Sequence, residues 1–156
     1  HHMIDPRKGF ESLLQHVKPS GYISAWVYGR ENNGWIVAIV NPIRKYVTSK
    51  LPLPVSKFIS YLVCMFLYPI LKLIYKPINT KLKFLSKLLC YNSYLFYISK
   101  FSFKEIHSII FDHLLAPIAF YIRRNDFLSW FEDNDLVDIN IGWHNENSWR
   151  GFGKKK

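Results

Sequence analysis

Apolar and polar positions along the chain predict a helix, a strand, a long helical stretch, two further helices and a closing hairpin. Phe10, Leu13, Leu14 and Val17 recur at the spacing of one helix face, so Pro6 to Val17 reads as a helix. Asp5 stands where an N-cap belongs, and Pro6 suits the first helical position. Lys18-Pro19-Ser20-Gly21 then forms a turn, because Pro stops the helix and Gly tolerates the conformation that follows. Tyr22 to Tyr28 reads as a short strand of β-branched and aromatic residues. Being almost wholly apolar, it is expected to be buried on both faces, as in a parallel sheet with helices on either side. Gly29 to Gly34 is a polar loop. It is either an ordinary connection or, in an open α/β sheet, the edge at which ligands bind.

From Trp35 to Lys100 the pattern is helical, punctuated by Pro42, Pro52, Pro54, Pro69 and Pro77. The most apolar part lies within Val55 to Tyr75, where Lys57 and Lys72 bracket Phe58 to Leu71. That stretch is shorter than the roughly 20 residues a bilayer span needs, which favours a buried or interfacial helix. Lys81 to Leu89 and Tyr91 to Ser99 predict one or two more helices. Ser102-Phe103-Lys104-Glu105 matches a capping box and opens a helix through Ile106, Ile109, Ile110 and Leu114 towards Pro117. Asn125 is placed to cap a short helix from Asp126 to Asp133, with Phe127, Trp130 and Phe131 inward. Val137, Ile139, Ile141 and Trp143 alternate with polar or small residues, the pattern of a half-buried strand. His144 to Asn147 makes a turn, and Ser148 to Gly153 returns as its antiparallel partner.

Composition narrows the class. Aromatic residues make up 17% and apolar residues 49% of the 156, which excludes a disordered chain. His1, His2 and Met3 read as the remnant of a purification tag and carry no functional weight. Cys64 and Cys90 have no His pair beside them, so they predict reduced, buried, structural thiols in a cytoplasmic protein. The net charge of +10 is uneven. No acidic residue lies between Glu31 and Glu105, while Arg44, Lys45, Lys50, Lys57, Lys72, Lys76, Lys81, Lys83, Lys87, Lys100 and Lys104 do. These divisions give a core segment at 4–34, a cationic apolar helical segment at 35–101 and a closing segment at 102–156.

Several stretches, in this order, resemble the closing half of a class I S-adenosylmethionine-dependent methyltransferase. Phe10 to Tyr28, with Lys18-Pro19-Ser20-Gly21 inside it, is similar to the segment leading into that family's fifth strand, with Ser20 in place of a usual Gly. Phe111-Asp112-His113-Leu114-Leu115-Ala116-Pro117 resembles the family's Asp-x-x-x-x-Pro segment. Asn125 to Ile139 resembles its closing helix and strand entry, with Asp135-Leu136 where Gly-Phe is common. The likeness covers roughly residues 5–31 and 103–154, and implies a final antiparallel hairpin that completes a seven-stranded sheet. The implied fold class is α/β by ancestry, mostly helical in this portion, with one buried strand and a C-terminal antiparallel hairpin. The family's Gly-rich loop, whose backbone amides approach the cofactor, has no counterpart among Gly9, Gly21, Gly29, Gly34, Gly142, Gly151 and Gly153. The resemblance therefore implies that this chain is the C-terminal portion of the enzyme. S-adenosylmethionine would bind the full-length protein and not this portion, and the missing N-terminal half would be its partner.

The candidate site residues follow from that reading. Asp112 and His113 fall in a region that faces the substrate in the family, where His113 would serve as a general base or else be a packed helix residue. Tyr28, Arg30 and Glu31 fall at the ligand-facing strand end. Arg30 either holds a carboxylate or phosphate of the substrate or pairs with Glu31. His16, His107 and His144 read as surface residues, and no metal spacing is present. The segment 35–101 is a substrate lid, a membrane-proximal cap attracted to an anionic surface, or a seat for an acidic partner. Its scattered lysines speak against nucleic acid. A non-enzymatic cationic module that binds a membrane or a protein is the rival reading. The strand edge left without its parallel neighbour predicts a homo-oligomer.

Overall fold

The computed structural model describes residues 1–156, which divide into a sheet unit (His1–Ile39 with Ile118–Lys156) and a helical unit (Val40–Pro117). The chain is mostly helical, with one three-stranded antiparallel sheet.

In the sheet unit, α1 spans Pro6–Gln15, and the Asp5 carboxylate caps it by accepting the Lys8 backbone N–H at 3.1 Å. At the other end of α1 the Lys155 ammonium donates to the carbonyls of Leu14 (3.1 Å) and Val17 (2.9 Å), placing a cation at the negative end of the helix dipole. Strand β1 (Tyr22–Tyr28), β2 (Val137–His144) and β3 (Ser148–Lys154) are ordered β1–β3–β2, with β3 antiparallel to both neighbours. The β2–β3 turn places Asn145 (φ 50°) and Glu146 (φ 59°) in the left-handed region, whose twist matches that of the flanking strands. Helix α7 spans Arg124–Glu132. With α1 it covers one face of the sheet, where Phe10, Leu14, Ile23, Val27, Phe127 and Phe131 share a core with Trp149.

The sheet unit departs from three expectations. Strand β1 is not buried on both faces: Ile23 and Val27 are buried, while Tyr22 and Trp26 are 59% and 42% exposed. The period-two alternation was hidden because Tyr and Trp count as apolar, yet each carries a polar group that tolerates water. Nor does β1 sit among parallel strands. Its partner is the antiparallel β3, and its parallel pairing is a single bridge between Gly29 and Ile122. The N-cap of α7 is Arg123 and not Asn125, and the Arg123 side chain makes no capping bond.

In the helical unit, α2 (Asn41–Tyr46), α3 (Leu53–Ile70), α4 (Lys76–Lys81), α5 (Asn92–Ile98) and α6 (Phe103–Leu115) are joined by short 3-10 and π turns. Helix α3 runs without interruption through a π turn at Leu71–Tyr75 into α4, giving 29 helical residues from Leu53 to Lys81. Pro69 and Pro77 thus do not break it; the wider π turn between them absorbs the misfit of carbonyls that no proline N–H can meet. The capping box of α6 is present: Ser102 N–H donates to Glu105 Oε2 at 2.7 Å, and Glu105 N–H to Ser102 Oγ at 3.4 Å. The core holds Cys64, Leu71, Tyr75, Ile98 and Ile106. Helix α6 packs on α3 within the helical unit, which runs to Pro117. Cys64 is buried as expected, whereas Cys90 is exposed.

Candidate functional site

The C-terminal end of β1 brings together Trp26, Tyr28, Arg30, Glu31 and Asn33. Trp26 and Tyr28 project from its open face with ring centroids 5.2 Å apart, and Tyr28 stacks on Tyr121 at 5.3 Å. The His1 ring rests on the same aromatic platform, 4.3 Å from Tyr28 and 5.2 Å from Trp26. Beyond the strand, the backbone N–H of Arg30 donates to Ile122 O at 2.9 Å, and the Arg30 side chain is exposed.

Glu31 has both carboxylate oxygens engaged within the chain. One accepts the backbone N–H of Arg124 at 2.9 Å and the other the indole N–H of Trp149 at 2.8 Å. The first of these supplies, from a distant loop, the cap that α7 lacks locally. Partial burial pushes the Glu31 carboxyl up, but these two hydrogen bonds and the positive charge of Arg123 outweigh it and hold the carboxyl below its ordinary value. A depressed folded value means stabilisation that is complete above the unfolded carboxylate value of about 4.3 and lost as pH falls through the lower folded value. Glu31→Gln is expected to destabilise the sheet unit by about 1 kcal/mol at neutral pH, the size of a lost helix cap partly open to water. Its melting temperature should converge on that of the parent chain in acid, which thermal melts at stepped pH would read.

Asn33 was not singled out in the sequence, yet it is 1% exposed and closes the site. Its amide donates to Gly29 O at 2.7 Å and to Asn147 O at 2.8 Å, while Gly29 N–H also donates to Asn147 O at 3.0 Å. Asn32, at φ 62°, adds a bond from its amide to Glu146 O at 3.0 Å. The polar loop is thereby fastened to the turn of the hairpin. The signal for this was the Asn32-Asn33 pair, since Asn adopts the left-handed region readily and carries the donors that loop carbonyls need.

The second pair of sequence candidates, Asp112 and His113, lies in the last turn of α6 in the helical unit, with Asp112 exposed and His113 half-buried. Tyr28, Arg30 and Glu31 share one strand end in the sheet unit; Asp112 and His113 share one helix turn in the other. His107, expected at the surface, is half-buried, and its Nε2 lies 2.8 Å from Ser60 Oγ. That contact is not a catalytic dyad. The Ser60 hydroxyl donates to Lys57 O at 2.8 Å, and no carboxylate pairs with the imidazole. His144 accepts from the Arg150 guanidinium at 2.9 Å; burial and the positive charge of Arg150 both push its pKa down. No group of three or more His, Cys, Asp or Glu side chains converges as a metal site. At the strand end, Tyr28 is in ring contact with both His1 and Tyr121, and the Arg30 side chain is exposed.

No family model, curated protein or solved structure matches this chain.

Proposed function

We propose that the chain is the C-terminal part of an S-adenosylmethionine-dependent methyltransferase, with the helical unit acting as a cap on the acceptor side. The observation that carries this reading is the placement of the hairpin. Its last strand, β3, lies antiparallel on β1, the strand that follows the Lys18-Pro19-Ser20-Gly21 turn. This is the arrangement the resemblance implies for a hairpin that completes a sheet. In addition, β1 stands at the edge of the sheet, and the bridge to Ile122 is the sole pairing on its outer side, which leaves room for the rest of a larger sheet. Methyl transfer needs chiefly the in-line placement of an acceptor against the methyl sulfonium, so positioning groups such as Tyr28 and Arg30 would suffice here without a nucleophile.

The coding sequence upstream of Ile4 tests this reading. It should continue into a strand followed by a Gly-rich loop; a stop codon or an unrelated domain there overturns the proposal. In calorimetric titration the 156-residue chain should show no binding of S-adenosylmethionine, and the chain extended upstream should bind it. Micromolar binding by the shorter chain would contradict the assignment of the cofactor site to the missing half.

The open edge of β1 has a second consequence. Unpaired strand edges recruit other chains, and Tyr22 and Trp26 add an exposed aromatic surface beside this one. The 156-residue chain is expected to form a dimer through this edge, read as a doubled mass in light scattering. A monomer at all concentrations would mean that the edge needs no partner, and would weaken the broken-sheet reading with it.

The rival reading, a cationic helical module without enzymatic activity, draws on the exposed apolar face of α3.

A further inference from the structure

We propose that the outer face of the long helix Leu53–Lys81 seats in the interfacial region of an anionic lipid bilayer. The proposal does not rest on the methyltransferase reading.

The helix is packed inside out for a water-exposed module. The row it turns inward is Ser56, Ser60 and Cys64, each 0% exposed, continued by Leu71 and Tyr75. The row it turns outward holds Phe58, Phe66 and Leu73, exposed at 62%, 72% and 74%, together with Met65. Only 22% of its most apolar stretch is buried. A helix stabilised in water does the reverse, hiding its large apolar side chains and showing its small polar ones. Packing through small residues with large apolar groups facing outward is instead the arrangement that suits lipid, where no hydrophobic force drives helices together and close backbone approach does. The inward hydroxyls are satisfied locally, Ser56 on Thr48 O at 3.3 Å and Ser60 on Lys57 O at 2.8 Å, so the small row is a settled interface.

Charge selects the kind of surface. The chain carries no acidic residue between Glu31 and Glu105, and the exposed Lys57, Lys76, Lys81, Lys83 and Lys87 flank the apolar face. Lysines near an anionic headgroup layer are attracted to it, while their stems lie along apolar surface. Lys72, which would otherwise stand in the apolar row, is withdrawn from it: its ammonium donates to Ser99 O at 2.8 Å and Phe101 O at 2.7 Å.

Geometry selects lying over crossing. By length and composition Leu53–Lys81 could cross a bilayer. With Lys72 turned aside, the run Phe58 to Tyr75 rises about 27 Å at 1.5 Å per residue, close to the roughly 30 Å hydrocarbon core. What favours lying is that one face stays packed on α6 and that charges continue directly beyond the helix. Beyond the helix, Phe84 and Leu88, exposed at 75% and 81% and four positions apart, alternate with Lys83 and Lys87. Charges recurring at this interval belong in the interface and not across it.

Flotation of the full chain with phosphatidylcholine vesicles, and with vesicles of equal phosphatidylcholine and phosphatidylglycerol, tests the proposal. Partition into the mixed vesicles should exceed that into the neutral ones by on the order of tenfold or more, and molar salt should reverse most of it, because surface attraction is screened. The double variant Phe66→Glu/Leu73→Glu should lose binding by a similar factor. Both positions face water, so its circular dichroism melt should match the parent. Equal partition into both vesicle types, or an undiminished double variant, would overturn the proposal. So would a dimer that buries Phe66 and Leu73 and stays out of the vesicle fraction. Flotation requires neither cofactor nor acceptor, so its failure leaves the methyltransferase reading standing, and failure of the cofactor titration leaves the bilayer proposal standing.

Discussion

Gly151→Val is expected to destabilise the sheet unit by about 3 kcal/mol, at the upper end of the cost of overpacking a core. Gly151 lies in the central strand β3, opposite Ala25 on one side and Ile141 on the other. A Cβ at this position would overlap the rim of Phe131, with Phe131 Cε2 at 2.6 Å and Phe127 Cε1 at 2.8 Å. Both rings are 0% exposed and locked edge to face at 5.3 Å, so neither has space to yield. The glycine has no positive φ, and its requirement is therefore space alone. This separates the steric account from a backbone account. Phe131→Ala by itself should cost about 3 to 5 kcal/mol through the cavity it leaves. Combined with Phe131→Ala, the valine should cost much less than in the parent, because it would fill part of that cavity and only the conflict with Phe127 would remain. Thermal or urea unfolding of the four chains in the cycle reads the coupling directly. A Gly151→Val chain that melts with the parent would mean that α7 is not seated on β3 as described.

How much of this was legible in the sequence depended on whether a signal was local. The cap of α1 by Asp5 and the capping box of Ser102 and Glu105 were readable because donor and acceptor sit three residues apart. The hairpin was readable because Val137, Ile139, Ile141 and Trp143 alternate, and a polar turn follows. Three features escaped. The two unlike faces of β1 were masked, since Tyr22 and Trp26 score as apolar whether or not they meet water. The cap of α7 comes from Glu31, 93 residues away, and no local pattern carries a contact of that span. The long helix was ended too early, at Tyr75, because Pro77 follows and the π turn at Leu71–Tyr75 that carries the helix on to Lys81 leaves no mark in composition. Within the candidate site, the strand end was picked out by a rule for open parallel α/β sheets, which the antiparallel sheet of this chain does not itself meet. Asn33 was not, because a loop asparagine is common and only its burial distinguishes this one.

That burial sets the second large effect. Asn33→Ala is expected to cost about 3 kcal/mol, since it strips the amide donors from two carbonyls in a place water does not reach. Gly29 O would lose its donor at 2.7 Å; Asn147 O would keep only the Gly29 N–H. Asn33→Asp should be worse, although it is nearly the same shape. A carboxylate has no N–H to give, and it would face two carbonyl oxygens across distances that suit a donor, adding repulsion and the burial of a charge to the loss of both bonds. An account in which Asn33 merely fills space predicts the opposite order, with alanine the more damaging change because it leaves a hole. Equilibrium unfolding of the two variants distinguishes these. Glu31 follows Gly29 by two residues in the same loop, so loosening the clasp on Gly29 and Asn147 is expected to reach the cap that the Glu31 carboxylate gives Arg124. Asn33→Ala should therefore raise amide exchange at Arg124 as well as in the loop, and a chain in which exchange rises in the loop alone would show that the cap at Glu31 stands independently of the Asn33 clasp.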